Sequence, residues 1–436
     1  MRPDAPPRII SEPSPIAACG GTGQLVDAPE EPSLAVDPAD PRHLLAAWQQ
    51  DRRPAGASFG IAVAVSRDGG RTWREAMLPE LARCAGGPYA LVSDVWASIG
   101  PDGAAYAGAL GVSPNGRPGY AVVVSASRDG GTTWGTPVVV SAGIPTQGIV
   151  LDKPSILADP RRAGRVYAVW ARYTGGPSHI VDQVDFVRSD DHGATWSAPA
   201  PLYAAGSEAQ NNELVAPAAG VLLDLFAEGS PLLAGHPARV AAVRSTDGGA
   251  TWSGPQTVAS FTVTQTSDPQ LGGSVRATGQ DVVAASGHGW AYAAWFENGA
   301  SGTSAVRVSG SGDGGLTWSP PATVVTEGAQ AFLPTLAVAG DGLLGATWYD
   351  LRDSAAGPGL GTEVWSGVST DHGLTWRSRP LGGAFDLRQA PRSTEGLFVG
   401  DYEGLAGLPT GFAAAYVEPT ASAPLPRTAV YFAEFG

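Results

Sequence analysis

An eight-residue pattern, Ser-x-Asp-x-Gly-x-Thr-Trp, occurs six times in register along the chain and limits what it can fold into more than any other feature. The first copy runs from Ser66 to Trp73 and the last from Ser369 to Trp376. The aspartates are Asp68, Asp129, Asp191, Asp247, Asp313 and Asp371, spaced by 61, 62, 56, 66 and 58 residues. A period of about sixty residues is one supersecondary unit repeated, and such units are stable only when stacked on their neighbours.

Each position has a local physical task. The carboxylate can accept hydrogen bonds from the amides of its own tight turn, the glycine supplies a positive φ, and the indole buries a large ring beside the next strand. None of these needs a ligand, so the boxes are expected to staple hairpins rather than to form a ring of binding carboxylates. His192 and His372, at the variable position of two copies, are expected to be exposed turn residues.

Within each period the sequence alternates apolar runs and turn residues as four short strands, with the box between the third and fourth. The second strand is the easiest to count. His43–Trp48, Ala104–Gly108, Val166–Trp170, Val221–Phe226, Trp290–Trp295, Leu343–Trp348 and Gly411–Tyr416 make seven such segments against six boxes. After Asp371 a further 65 residues remain, enough for three strands of a seventh unit near 398–408, 412–417 and 428–435. Its fourth strand is then expected from the N-terminus, near Pro7–Ser14. These counts predict an all-β, seven-bladed β-propeller spanning residues 1–436 as a single domain, closed by its first and last strands, with six blades as the alternative.

A net charge of −14 argues against nucleic acid and anionic membrane surfaces as partners. No apolar run is long enough to cross a membrane, and the N-terminus lacks an apolar signal core. Cys19 and Cys84 fall in loops entering adjacent blades, so a disulfide, and with it an extracellular or periplasmic location, is expected. No cofactor is implied, a structural calcium is left open, and a monomer is expected.

In a propeller the boxes mark one face, and ligands use the other, where first strands begin and second strands end. Second-strand ends contribute Asp51, Arg52, Arg172, Asp350 and Arg352, with Gln49, Glu228 and Glu297 beside them. First-strand starts contribute Asp152, Lys153, Glu213, Arg276, Asp401 and Tyr402, with Glu31 and Asp94. Lys153 is the only lysine; the other 26 basic residues are arginines. Carboxylates interleaved with cations suit acid–base chemistry on a sugar, with the cations available to clamp an anion. Asp51, Glu213, Asp350 and Tyr402 are the catalytic candidates. Arg52, Asp152, Lys153, Arg172, Arg276, Arg352 and Asp401 are the substrate-binding candidates, and no metal ligand is assigned.

The six boxes resemble the Asp boxes, or BNR repeats, of sialidase-like propellers. Trp48-Gln49-Gln50-Asp51-Arg52, Asp152-Lys153-Pro154-Ser155, Asp268-Pro269-Gln270-Leu271-Gly272-Gly273, Trp348-Tyr349-Asp350-Leu351-Arg352 and the stretch from Gly400 to Ala406 are similar to a bacterial, secreted branch of that family. The resemblance implies a carbohydrate-facing propeller. The expected function is a sialidase-like glycoside hydrolase acting on an acidic glycan. A polysaccharide lyase using Tyr402, His179, His236 and Lys153, or a non-catalytic glycan- or protein-binding propeller, are the alternatives. True sialidases carry a Phe/Tyr-Arg-Ile-Pro motif near their start. Here Pro7-Arg8-Ile9-Ile10 lacks both the aromatic and the proline, and is expected on the closing strand.

Overall fold

The structure, a computed structural model, describes residues 5–436 except 114–118, 144–147, 175–180, 205–207, 230–234, 278–281, 299–303, 326–329, 353, 355–358 and 421–426. Among these residues it contains strands and short 3-10 turns but no α-helix, and so no helix long and apolar enough to cross a membrane.

The strands form antiparallel four-strand meanders in chain order. The first comprises Glu30–Val36, Leu44–Arg52, Ser58–Ser66 and Arg74–Met77, and the second Leu91–Ile99, Ala105–Val112, Tyr120–Ser127 and Val138–Gly143. A single bridge, Ser58 to Val92, joins these two into one larger sheet. The next units begin with Ile149–Ala158, Glu208–Ala218, Val282–Gly287 and Ala331–Val338. The last combines Gly404–Gly407, Phe412–Thr420 and Arg427–Phe435 with Arg8–Ile9 from the other end of the chain. There Arg8 faces Phe432 and Ile9 faces Tyr431, and the Ile10 amide donates to the Val430 carbonyl at 2.9 Å. All seven second-strand segments counted in the sequence coincide with observed second strands, four of them starting one residue before the strand does. The first strand of the last unit is shorter than expected, since residues 398–403 leave the ladder to enter the site described below.

The innermost strands pack in succession, and Glu30–Val36 lies against both Leu91–Ile99 and Gly404–Gly407. One cavity of about 320 Å³ is lined by residues of all seven inner strands, among them Ser33, Ser98, Ser155, Glu213, Ala284, Leu336 and Ala406. Side chains stitch adjacent inner strands across it. Ser33 Oγ accepts from the Ala97 amide at 3.0 Å, Ser98 Oγ from Ala158 at 2.9 Å, and Glu213 Oε2 from Ala284 at 2.7 Å. Between the units lie apolar layers rich in Ala, Val, Leu and fully buried aromatics such as Trp48, Trp170, Trp295 and Trp348. Alanine on one face lets a neighbouring sheet approach closely enough for these indoles to fill the gap.

The repeated box staples each hairpin as its chemistry requires. In the first, the Thr72 amide and hydroxyl donate to Asp68 at 2.9 and 2.7 Å, Ser66 Oγ accepts from the Gly70 amide at 2.8 Å, and the Trp73 indole donates to the Gly70 carbonyl at 3.0 Å. Donors from the turn hold Asp68 down at a pKa of about 2. Units are also tied box to box: Arg67 donates to the Asp129 carbonyl, Arg128 to Asp191, Arg188 to Gly248 and Arg244 to Gly314, at 2.6–3.1 Å. The two box histidines are not idle. His192 pairs with Asp102 of the preceding unit at 2.7 Å, and His372 stacks on Trp290 and meets the Tyr292 hydroxyl at 2.8 Å. Both hold the positive φ, 64° and 60°, that glycine takes in the other copies.

Cys19 and Cys84 are bonded, with 5.7 Å between their Cα atoms. Closing a 65-residue loop stabilises by roughly 4 kcal/mol on the loop-entropy model. The segment between Arg8 and Cys19 buries Ile10 and Ile16. Removing residues 1–11 is therefore expected to cost about 2–3 kcal/mol, mostly through Ile10 and the lost ladder, and to bare the edge of Arg427–Phe435. Denaturant melts and size-exclusion chromatography check this; unchanged stability with no added self-association would contradict it.

Candidate functional site

Five of the seven inner strands share an irregularity, and three of the five supply the site. In the first unit the register slips between Glu30 and Ser33, in the second between Ser93 and Trp96, and in the third between Asp152 and Ser155. The slip recurs between Gln210 and Glu213 and between Phe332 and Thr335. Inside each bulge one non-glycine residue takes a left-handed conformation: Glu31, Asp94, Lys153, Asn211 and Leu333, with φ between 46° and 62°. A bulge re-aims a side chain and bends the strand, and a left-handed non-glycine residue costs roughly 1 kcal/mol. Such strain repeated in one layer is characteristic of a site rather than of a scaffold.

Three of these residues are charged and meet in one pocket of about 310 Å³ at one end of the inner-strand channel. Asp401 is its centre. Its carboxylate accepts from Lys153 Nζ at 2.8 Å and from Arg276 Nε and Nη2 at 3.1 and 2.7 Å. Lys153 also lies 3.3 Å from Asp94, and Arg52 Nε lies 3.1 Å from Glu30. Two guanidiniums lie over the Phe398 ring, Arg52 at 4.9 Å and Arg276 at 4.5 Å from its centre. Tyr402 stacks on Trp96 and lies under Lys153 at 5.8 Å. Arg276 and Phe398 arrive on two loops that clasp each other through a Val275–Leu397 bridge and the Arg388–Asp268 pair at 2.7 Å.

These neighbours divide the carboxyls into two populations. Burial pushes Glu30 up to about 8 despite Arg52, and pushes Asp152 up to about 7 with Asp94 adding repulsion. Burial also raises Glu31, reinforced by Asp401. Burial alone would raise Asp401 too, but Lys153 and Arg276 outweigh it and hold that carboxyl below the usual range. Lys153 is in turn raised, because Asp401 and Asp94 outweigh its desolvation. Acids that keep their proton near neutrality thus stand beside one that does not.

The expected site residues separate accordingly. Arg52, Asp152, Lys153, Arg276, Asp401 and Tyr402 come together here, with Glu30, Glu31, Gln49 and Phe398. Tyr402 is buried next to the pocket without lining it, and its hydroxyl donates to the Val95 carbonyl at 3.1 Å, so it does not present a nucleophile there. Asp51 is buried outside the pocket, where Ser14, Gln24, Gln50 and the Asp27 amide donate to it at 2.6–3.0 Å. It anchors the N-terminal segment.

Asp350 is occupied by the Trp348 indole, the Arg352 amide and the Arg352 guanidinium, which lies 4.0 Å over Trp365. The same arrangement recurs at Trp48–Gln50 and Trp295–Glu297, where a side chain two residues on accepts the indole N–H at 2.9–3.0 Å. Period-2 geometry puts both on one face, so polar second-strand ends serve the tryptophans. Arg172 pairs with Asp185 at 3.7 Å, and Glu213 sits on the channel wall against Ala284; neither lines the pocket. His236 is exposed and outside the pocket, and His179 lies outside the described residues. Arg8, the residue expected on the closing strand, sits over Phe432 at that outer edge. Among the described residues no group of three or more His, Cys, Asp or Glu is arranged to hold a metal ion.

Residues 42–288 match the model of the BNR repeat-like domain. None of the curated proteins matches the chain in sequence. Among solved structures it is similar to a protein of unknown function from Dyadobacter fermentans DSM 18053, at 13% identity over 100% of this chain and 99% of that one, TM-score 0.54. It is also similar to an α-L-arabinofuranosidase of Fusarium graminearum bound to an iminosugar inhibitor, at 12% identity over 99% and 98%, TM-score 0.52. A third is the NanB sialidase of Streptococcus pneumoniae, at 13% identity over 79% and 67%, TM-score 0.50. At such identities the likeness is one of fold. The family model spans more than half of the chain, which therefore belongs to the BNR repeat-like family.

Proposed function

We propose that this chain is a closed seven-bladed propeller that hydrolyses glycosidic bonds in the pocket around Asp401. Seven inner strands around one cavity, with the first strand packed on the last unit, support the blade count and the closure. The disulfide favours action outside the cytoplasm. The observation that carries the chemistry is the split between carboxyls. Glycoside hydrolysis needs one acid to protonate the leaving oxygen and one carboxylate to stabilise or attack the developing cation. Asp152, at about 7, is the acid of choice at near-neutral pH; Glu30 and Glu31 stand behind it. Asp401 supplies the ionised partner. Similarity in fold to an arabinofuranosidase and a sialidase agrees with a glycan substrate.

An acidic glycan, which interleaved arginines suggest, is less well served. The two cations that would clamp its carboxylate, Lys153 and Arg276, are already committed to Asp401. A lyase would need a Tyr or His in the pocket that gives up its proton readily; Tyr402 spends its hydroxyl on Val95, and burial and Asp152 raise Tyr120, which lines the pocket.

Reducing-end assays on neutral, amino and acidic glycosides test the reading. Activity should fall as pH rises through about 7, because the acid loses its proton there, and Asp152→Asn should lower kcat by about 100-fold or more. Binding without any turnover would replace the hydrolase by a recognition propeller.

A further inference from the structure

The pocket carries more carboxyl groups than its own cations pair with. Six carboxyls line it: Glu30, Glu31, Asp94, Asp152, Glu395 and Asp401. Three cations face them there, Arg53, Lys153 and Arg276, and Arg52 pairs with Glu30 from behind. Asp401 draws on both Lys153 and Arg276, and Glu395 also lies 3.6 Å from Arg276. An independent sign comes from Gln49. It is 1% exposed, lines the pocket, and its Oε1 has no hydrogen-bond partner, although its amide nitrogen donates to Glu31. A buried acceptor left without a partner is destabilising, and a ligand's donor can recover that cost.

We infer that the pocket selects a sugar residue bearing a protonated amine, the ammonium seated among Gln49 Oε1, Glu31 and Asp152, in preference to carboxylated sugars or N-acylated ones. An ammonium offers up to three donors and one positive charge, which an acceptor-rich pocket with proton-bearing carboxyls can match by ionising them. An N-acetyl group brings a single N–H and no charge, and a carboxylate brings only acceptors. The inference rests on the glycan-acting reading and narrows it. It also carries a linkage consequence. Burial and repulsion from Asp94 and Asp401 keep protons on Glu30, Glu31 and Asp152, with Arg52, Lys153 and Arg276 opposing, and Arg53 also lines the pocket. A bound cation favours their ionised forms, so its binding releases protons.

The experiment is isothermal titration of the purified full chain at pH 6, in two buffers of different ionisation enthalpy. The ligands are a glucosamine trisaccharide, its fully N-acetylated counterpart and sialyllactose. The expected result is at least tenfold tighter binding of the amine form, with proton release. In a Glu31→Gln variant whose melting temperature has been checked, the preference should shrink at least threefold. Equal or tighter binding of the N-acetylated or sialylated ligand overturns the amine selectivity and leaves the glycan reading standing. If none of the three binds, both fall. An undiminished preference in both Glu31→Gln and Asp152→Asn would also overturn the seating proposed for the ammonium.

Discussion

Replacing Asp401 by alanine is expected to destabilise the protein by about 3–5 kcal/mol and to remove its glycan activity. Truncating one member of a buried ion cluster leaves the others uncompensated, and that penalty exceeds the worth of the contacts themselves. Here the orphans would be Lys153, 12% exposed, and Arg276, 20% exposed, each of which now meets Asp401 within hydrogen-bond distance. The loss spreads through geometry as well. Lys153 sits at a strained φ of 46°, and Arg276 is carried by a loop clasped to residues 388–397, so both depend on their common carboxylate for position. Asp401→Asn separates charge from hydrogen bonding, because the amide preserves an acceptor but cannot neutralise two cations. It should recover part of the stability and little of the activity. Urea denaturation of both variants, with turnover at saturating substrate, gives the test. An alanine variant as stable as the parent would show that the cluster is solvated and that its pairings carry no structural weight.

Much of this cluster could be read before any coordinates. The boxes fixed the repeat, and the second strands fixed its phase, so Lys153 and Asp401 could be placed at the start of inner strands. The only lysine of the chain lies in the charge cluster, beside Asp401 and Asp94. Glu30 and Phe398 escaped because their positions depend on bulges and loop paths. A residue in a left-handed bulge turns its side chain out of the alternation that period-2 reasoning assumes, and no composition cue announces it. In hindsight a signal exists: Glu31-Pro32-Ser33, Lys153-Pro154-Ser155 and Leu333-Pro334-Thr335 share a proline and a hydroxyl residue after the strained position.

Second-strand ends carry partners that the sequence does not announce. Asp51 and Asp350 were attractive as catalysts because they are acidic and lie at the right height. Yet each is fully engaged: Asp51 by the N-terminal segment, and Asp350 by Trp348 and Arg352. Polarity at the rim of a sheet is therefore ambiguous in sequence. A carboxylate two residues after a tryptophan has a structural duty that must be set aside before a chemical one is assigned.

The buried carboxyls away from the pocket should give the protein an acid-shifted stability profile. Glu213 is pushed up to about 8 by burial, and Asp224, with neither carboxyl oxygen hydrogen-bonded, is raised well above its ordinary value by burial and then by Glu213. For an acid whose folded pKa is raised, the unfolded chain loses its proton first as pH climbs. The stabilisation is complete below about pH 4 and declines as pH rises toward the folded value near 8. The box aspartates act in the reverse sense. Asp68, Asp129, Asp191, Asp247 and Asp371 sit at about 2, so what they contribute is present above about pH 4 and lost only in stronger acid. Between these limits stability should peak near pH 4–6 and fall toward pH 8. Glu213→Gln keeps an acceptor for the Ala284 amide and cannot ionise. At about 1.4 kcal/mol per pH unit, the displacement from 4.5 to about 8 is worth on the order of 4 kcal/mol, so this variant should gain stability of that order over the parent at pH 8 and almost none at pH 4.5. Unfolding free energies of both proteins from denaturant melts at pH 4.5, 6 and 8 decide the matter. A parent more stable at pH 8 than at pH 5, or a variant with the parent's slope, would mean that water reaches these carboxyls and that the inner wall is wetter than its packing implies.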